Sequence, residues 1–260
     1  MTFILGISPI LGGLSLIIAN HSCLMDIFFL PAALPEPTIS LISSRLIYKK
    51  ILERQRMMET YLYGMPIEAH GGPLYSNMCL NMAIEMLKKG YSTSIFPEGA
   101  YVEDNSVIYR GRTGVIRILY ACKKIGIPVS LVPVAIDFEK RNLNLDSFSE
   151  EQNYQVTIKI LKTIPYEEEY KKYQESNTLQ EKNKFLHRVV DKSLIEIAKS
   201  LNKSYKQNYI ELYPKGNVIY ASGEVIPTEL AQENNYVKNY AQELEMRSLK
   251  LQKELKLNQK

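Results

Sequence analysis

Cysteine is scarce in this sequence, three residues among 260, and the scarcity removes two function classes. Cys23, Cys79 and Cys122 are too few for a disulfide framework, and no C-x-x-C spacing offers a zinc site. The expectation is a reducing, cytoplasmic setting. A dense block of Lys and Arg is also missing. The net charge is +4, with seven basic and seven acidic side chains in residues 1–100 and twenty against seventeen in 140–260. A nucleic-acid binder would concentrate positive charge, so that class is set aside. The mild surplus fits a mixed-charge surface or weak attraction to an anionic membrane. No charge precedes Asp26, so the basic start of a signal peptide is absent. Residues 3–19 are mostly apolar, but Gly6, Pro9, Gly12 and Gly13 interrupt them. That excludes a spanning helix of about 20 apolar residues and leaves at most a shallow membrane contact. There is no internal repeat, and no G-x-S-x-G elbow to support a hydrolase built on Ser22 or Cys23.

What is present is enough apolar material for a large core, 45% of residues, arranged in alternating strand and helix signals. Residues 14–19 and 38–43 read as strands, and 26–34 as a core helix ending before Pro35 and Pro37. Residues 45–61 read as helical. Pro73 opens a helix that Gly90 stops, residues 91–96 form a strand, and 114–124 form a helix closed by Gly126. Strands follow at 129–136 and 154–160, then an amphipathic helix at 178–202 carrying Phe185, Val189, Leu194, Ile197 and Leu201. A hairpin around Gly223 and a polar helix at 228–256 complete the reading. This order predicts an α/β fold: a mostly parallel central sheet flanked by helices, with a helical C-terminal extension. Residues 1–202 form the main domain and 203–260 the extension.

Four short stretches carry chemistry. In Asn20-His21-Ser22-Cys23-Leu24-Met25-Asp26, a histidine is followed five residues later by an aspartate at a strand end. Such a pair can act as a general base with a carboxylate orienter, or simply as a polar strand cap. Phe96-Pro97-Glu98-Gly99 runs from a buried strand into a turn bearing a carboxylate, where open α/β sheets place their sites. Arg110-Gly111-Arg112-Thr113-Gly114 sets two arginines between glycines before a helix, an arrangement suited to an anion and equally to an ordinary basic loop. Val132-Pro133-Val134 marks a buried strand.

Taken together and in this order, the four stretches resemble the family of glycerolphosphate and lysophosphatidate acyltransferases. Asn20, His21 and Asp26 match its N-H-x-x-x-x-D block, Phe96 to Gly99 its F-P-E-G block, and Val132 to Val134 its V-P-V block. Gly64-Met65-Pro66-Ile67-Glu68-Ala69-His70 occupies the place of its second block. The resemblance spans residues 14–202. It implies that His21, oriented by Asp26, deprotonates an acceptor hydroxyl that attacks the thioester of acyl-CoA or an acyl carrier protein. No other cofactor is implied. Glu98, Gly99, Arg110, Arg112 and His70 would bind the phosphate-bearing head of a lysophospholipid at a membrane surface, with the protein peripherally attached. A catalytically weak lipid-binding or membrane-docking relative is the alternative. Two departures stand out: Ala100-Tyr101-Val102 replaces the usual Thr-Arg-Ser, and His70 stands where an arginine commonly ends the second block.

Overall fold

Five consecutive buried residues, Ser15–Ala19, form the strand on which the rest is hung. The computed structural model describes residues 2–6, 13–23, 26–34, 38–43, 64–67, 72–99, 106–138, 155–210, 217–219 and 225–227. Its elements begin with β1 (Thr2–Gly6), β2 (Ser15–Ala19), α1 (Asp26–Ala33), β3 (Thr38–Ser43), β4 (Gly64–Ile67) and α2 (Gly72–Lys88). Next come β5 (Ser92–Ile95), β6 (Val107–Tyr109), α3 (Gly114–Lys124), β7 (Ser130–Phe138) and β8 (Gln155–Ile160). The chain continues through α4 (Glu167–Glu175), α5 (Leu179–Ser200), β9 (Ser204–Lys206), β10 (Asn217–Ile219) and β11 (Val225–Pro227). The expected helices at 45–61 and 228–256 lie outside the described residues.

Seven strands form one sheet in the order β1-β8-β7-β2-β5-β3-β4. β2 pairs in parallel with β5 and β7, and β3 with β5 and β4. β8 runs antiparallel to β7, and β1 lies parallel to β8 at the edge. The expected mostly parallel sheet flanked by helices is therefore what forms, with two reversed strands on one side.

Period-2 alternation along β2 divides the core. Leu16 and Ile18 join Met82, Met86, Val115, Ile118, Leu119 and the buried stripe of α5. Ile17 and Ala19 face the other way, onto α1 and the Val132, Val134 and Ile136 side of β7. Both faces of β2 are covered, which is why its sequence is apolar without alternation. α5 starts at a capping box, with the Thr178 hydroxyl accepting from the Glu181 amide at 3.2 Å. Beyond residue 202 the chain turns back, and β9 pairs in parallel with β6. β10 and β11 form the antiparallel hairpin expected around Gly223. Among the described residues, no helix is long and apolar enough to cross a membrane.

Candidate active site

Because β2 and β5 are parallel neighbours, with Ile18 beside Ile95, the segments that follow them emerge at one edge of the sheet. That edge, at the carboxyl ends of the strands, is where open α/β sheets hold their ligands. Asn20 fixes the exit of β2. Its side-chain Nδ2 donates to the Ile136 carbonyl at 2.9 Å, and its Oδ1 accepts from the Ile136 amide at 2.8 Å. This buried amide extends the β2–β7 ladder one step past its main-chain end, and so aims the next residue, His21.

His21 Nδ1 lies 3.0 Å from Asp26 Oδ2, and Asp26 is fully buried at the first turn of α1. The turn between them is wound around that carboxylate. The Ser22 and Cys23 amides donate to Oδ2 at 2.5 and 2.8 Å, and the Ser22 hydroxyl donates to Oδ1 at 3.1 Å. The carboxylate thus has its charge stabilised by hydrogen bonds and by the helix N-terminus. Phe96 stacks on the imidazole, with centroids 4.7 Å apart and planes 26° from parallel. The ring is clamped between an orienting acid and an aromatic face, and 12% of the side chain is exposed.

Glu98 stands beside this pair. Its place in the F-P-E-G stretch suggests a contact with the acceptor's head group, whereas in the structure both its oxygens bond the main chain. Oε1 accepts from the His21 amide at 2.9 Å, and Oε2 from the Tyr109 amide at 2.8 Å. One buried carboxyl therefore ties the end of β2 to β6. Burial pushes its pKa up from 4.5 to about 7, against the pull of the two amides. Glu98→Gln retains one acceptor oxygen but turns an NH2 toward the second amide. An unmet buried donor costs about 1–3 kcal/mol, so the variant is expected to melt several degrees lower. The raised pKa also makes this group's contribution to stability grow as pH falls from about 7 toward 4.5. Thermal melts across that window are expected to show this slope in the parent and lose it in Glu98→Gln.

The basic loop divides into two arginines with different partners. Arg110 grips Asp191 of α5 with two bonds, Nε to Oδ1 at 3.2 Å and Nη2 to Oδ2 at 2.9 Å. Tyr205 donates to the same carboxylate at 2.6 Å. Gly111 presses between α5 and the Pro97 turn. A Cβ there would lie 2.7 Å from Val190 and 2.8 Å from Pro97, so only glycine fits. Arg112 donates its amide to the Pro97 carbonyl at 2.7 Å, and its side chain lies over Gly99, where φ is +77°. Among the described residues, no carboxylate pairs with Arg112.

Arg112 and Gly99 border a cleft of about 470 Å³. Leu41, Cys79, Leu80, Ile95 and Phe96 supply apolar lining, and Arg117, His187 and Tyr209 join Arg112 as its polar part. Phe96 connects this cleft to the base, since the ring that lines it also stacks on His21. The start of α3 at Thr113 and Gly114 adds main-chain amides to the same wall. Of the residues expected at the site, His21, Asp26 and Glu98 share one hydrogen-bond network. Gly99 and Arg112 border the cleft, Arg110 is committed to Asp191, and His70, like Tyr101, lies outside the described residues. Arg117, His187 and Tyr209 were not legible in sequence, because nothing local distinguishes them from surface side chains.

Residues 10–137 match the acyltransferase family. No curated protein sequence matches the chain. Among solved structures, the chain is similar to the 1-acyl-sn-glycerophosphate (LPA) acyltransferase PlsC from Thermotoga maritima. The identity is 19%, over 75% of this chain and 72% of that one, with a TM-score of 0.43. The matched segment contains His21, Asp26, Glu98, Gly99, Arg110 and Arg112, and on this match residues 10–137 belong to the acyltransferase family.

Proposed function

We propose that the protein transfers a fatty acyl group from acyl-CoA or an acyl carrier protein to the free hydroxyl of a lysophospholipid of the 1-acylglycerol-3-phosphate type. The observation that carries this reading is the Asp26–His21 pair, 3.0 Å apart, with His21 stacked on Phe96, a ring that also lines a cleft with apolar and cationic side chains. A carboxylate on Nδ1 fixes the tautomer with its lone pair on Nε2. That nitrogen takes the acceptor's hydroxyl proton as the oxygen attacks the thioester carbonyl. The tetrahedral intermediate collapses, the C–S bond breaks, and the imidazolium returns its proton to the departing thiolate. No side chain is acylated along this route. Ser22 and Cys23 are buried and directed to Asp26, which disfavours either as nucleophile.

The cleft suits the acceptor. Its apolar lining takes an acyl chain, while Arg112, Arg117 and the α3 amides can meet a phosphate. The membrane surface is then the source of the acceptor, and the protein works there as a peripheral enzyme. Arg112→Ala is expected to raise the KM for lysophosphatidate by about tenfold with little change in kcat, since charged hydrogen bonds contribute roughly 1.5–3 kcal/mol. Acceptors with large apolar tails should lose least. Steady-state kinetics on a panel of lysolipids, with labelled acyl-CoA as donor, test the reading. Transfer to lysolipid hydroxyls supports it; binding of lysolipid without any transfer by the parent would identify a lipid-docking relative instead.

A further inference from the structure

Tyr209 lines the cleft that holds Arg112, although it lies well beyond residues 10–137, the segment that matches the family. Its place there follows from β9. The parallel pairing of β6 and β9 sets Tyr109 beside Lys206, and the Arg110 amide then donates to the Asn208 carbonyl at 3.1 Å. Tyr205, midway along β9, ties that strand to α5 by donating to Asp191, the same carboxylate that holds Arg110. The residue after Asn208 is thereby carried to the cleft. Tyr209 is 37% exposed, so its ring stands at the border between the cleft and solvent.

The ring is held from two sides. The Arg112 guanidinium lies 5.8 Å from its centroid and that of Arg110 6.0 Å, both within reach of an aromatic face. Its hydroxyl pairs with Nε2 of His187, on α5, at 3.1 Å. The side chain therefore reaches from the basic loop to α5. His187 adds no charge to this bar: burial, then the nearby Arg110, holds its imidazole below the usual range, against the pull of Asp191. What Tyr209 brings to the cleft is bulk. An anion held by Arg112 has that ring beside it. A phosphate monoester carries nothing beyond its own oxygens, whereas a phosphodiester head group brings an alcohol that has to pass where the ring stands.

We infer that Tyr209 determines acceptor specificity: its ring, braced by Arg112 and His187, excludes acceptors whose phosphate bears a further substituent. The inference rests on the acyl-transfer reading for the identity of the acceptor, while the obstruction itself acts on binding. Selection of this kind works by a clash with the wrong ligand rather than by an added attraction for the right one. Ring and hydroxyl have separate parts in it. The ring supplies the obstruction, and the tie to His187 keeps it from swinging outward.

Calorimetric titration of the full chain with short-chain, monomeric lysophosphatidate and lysophosphatidylethanolamine tests this, followed by transfer rates on both. The parent is expected to bind lysophosphatidate the more tightly. Tyr209→Ala should narrow that preference by about tenfold, the usual worth of a small steric difference in a pocket. The narrowing should come from tighter binding of lysophosphatidylethanolamine, a gain that a merely damaged cleft does not produce. Tyr209→Phe should narrow it by only about two- to fivefold, the loss typical of one hydrogen bond. That variant keeps the bulk of the ring, so it reports even if Tyr209→Ala folds poorly. In transfer, the ratio of kcat/KM for the two acceptors should move the same way. A parent that binds both lipids equally, or a Tyr209→Ala protein that binds both more weakly in step, overturns the assignment. Altered selection in binding with no transfer by the parent would support the obstruction and sink the acyl-transfer reading. Transfer by the parent with the same selectivity in both variants would overturn the obstruction and leave that reading standing.

Discussion

His21→Ala is expected to lower acyl transfer by about 10²–10⁴-fold, the usual effect of removing a general base, while the fold survives. The imidazole is clamped by Asp26 and Phe96, yet it stands past the end of β2 and outside the two core clusters. Loss of the Asp26 hydrogen bond and the Phe96 ring contact costs roughly 1–2 kcal/mol, which a domain of this size should tolerate. The melting profile should therefore stay cooperative and shift by only a few degrees. Substrate KM values should change little, because the ring acts on the proton in flight. Near-parent turnover by a natively melting His21→Ala protein would remove the base from the mechanism.

Asp26→Asn is expected to lower kcat by about 10³-fold, within the range set by loss of the base itself, and also to melt lower than His21→Ala. An asparagine keeps one acceptor oxygen, but among the described residues the present carboxylate serves five donors: the Ser22 and Cys23 amides, the Ser22 hydroxyl, the Cys23 thiol and His21 Nδ1. The new NH2 has to face one of them. If it faces His21, the imidazole is driven to the opposite tautomer, with Nε2 protonated and unable to accept. If it faces the amides, the turn that aims His21 loosens. Either outcome depresses kcat, and the imidazolium formed in the transition state also loses its counter-charge. Measuring kcat and the acceptor KM separately checks this. A raised KM at unchanged kcat would place Asp26 in head-group binding instead.

Much of this arrangement could be read from residue order alone, because it depends on local signals. β2, α1, β5, α3 and α5 announce themselves by apolar runs, helical spacing and flanking glycine or proline. His21, Asp26 and Glu98 stand in short fixed spacings at strand ends. What escaped was decided by distant partners. α4 reads as a run of charge, and only Tyr170 and Tyr173, packed on Tyr120, reveal its inner side. β9 has no apolar signature and exists because it pairs with β6, far earlier in the chain. The direction of β8 is likewise set by its partner rather than by its own residues. Arg110 and Arg112 look equivalent in sequence, and only Asp191 on α5 separates a structural cation from one facing the cleft. Glu98 resembles a ligand-binding carboxylate until its two main-chain donors are seen. Side-chain pairing across the fold, more than periodicity, sorts positioning residues from binding residues.

The most direct test is a single-turnover reaction with labelled acyl-CoA, lysophosphatidate and excess protein, quenched at successive times. Protein-bound and lipid-bound label are then separated. The account predicts that label passes to the free hydroxyl of the lysolipid without ever residing on the protein. It also predicts that His21→Ala passes almost none in the same interval. Label accumulating on the protein before the lipid, or unchanged transfer by His21→Ala, would contradict a direct attack assisted by His21.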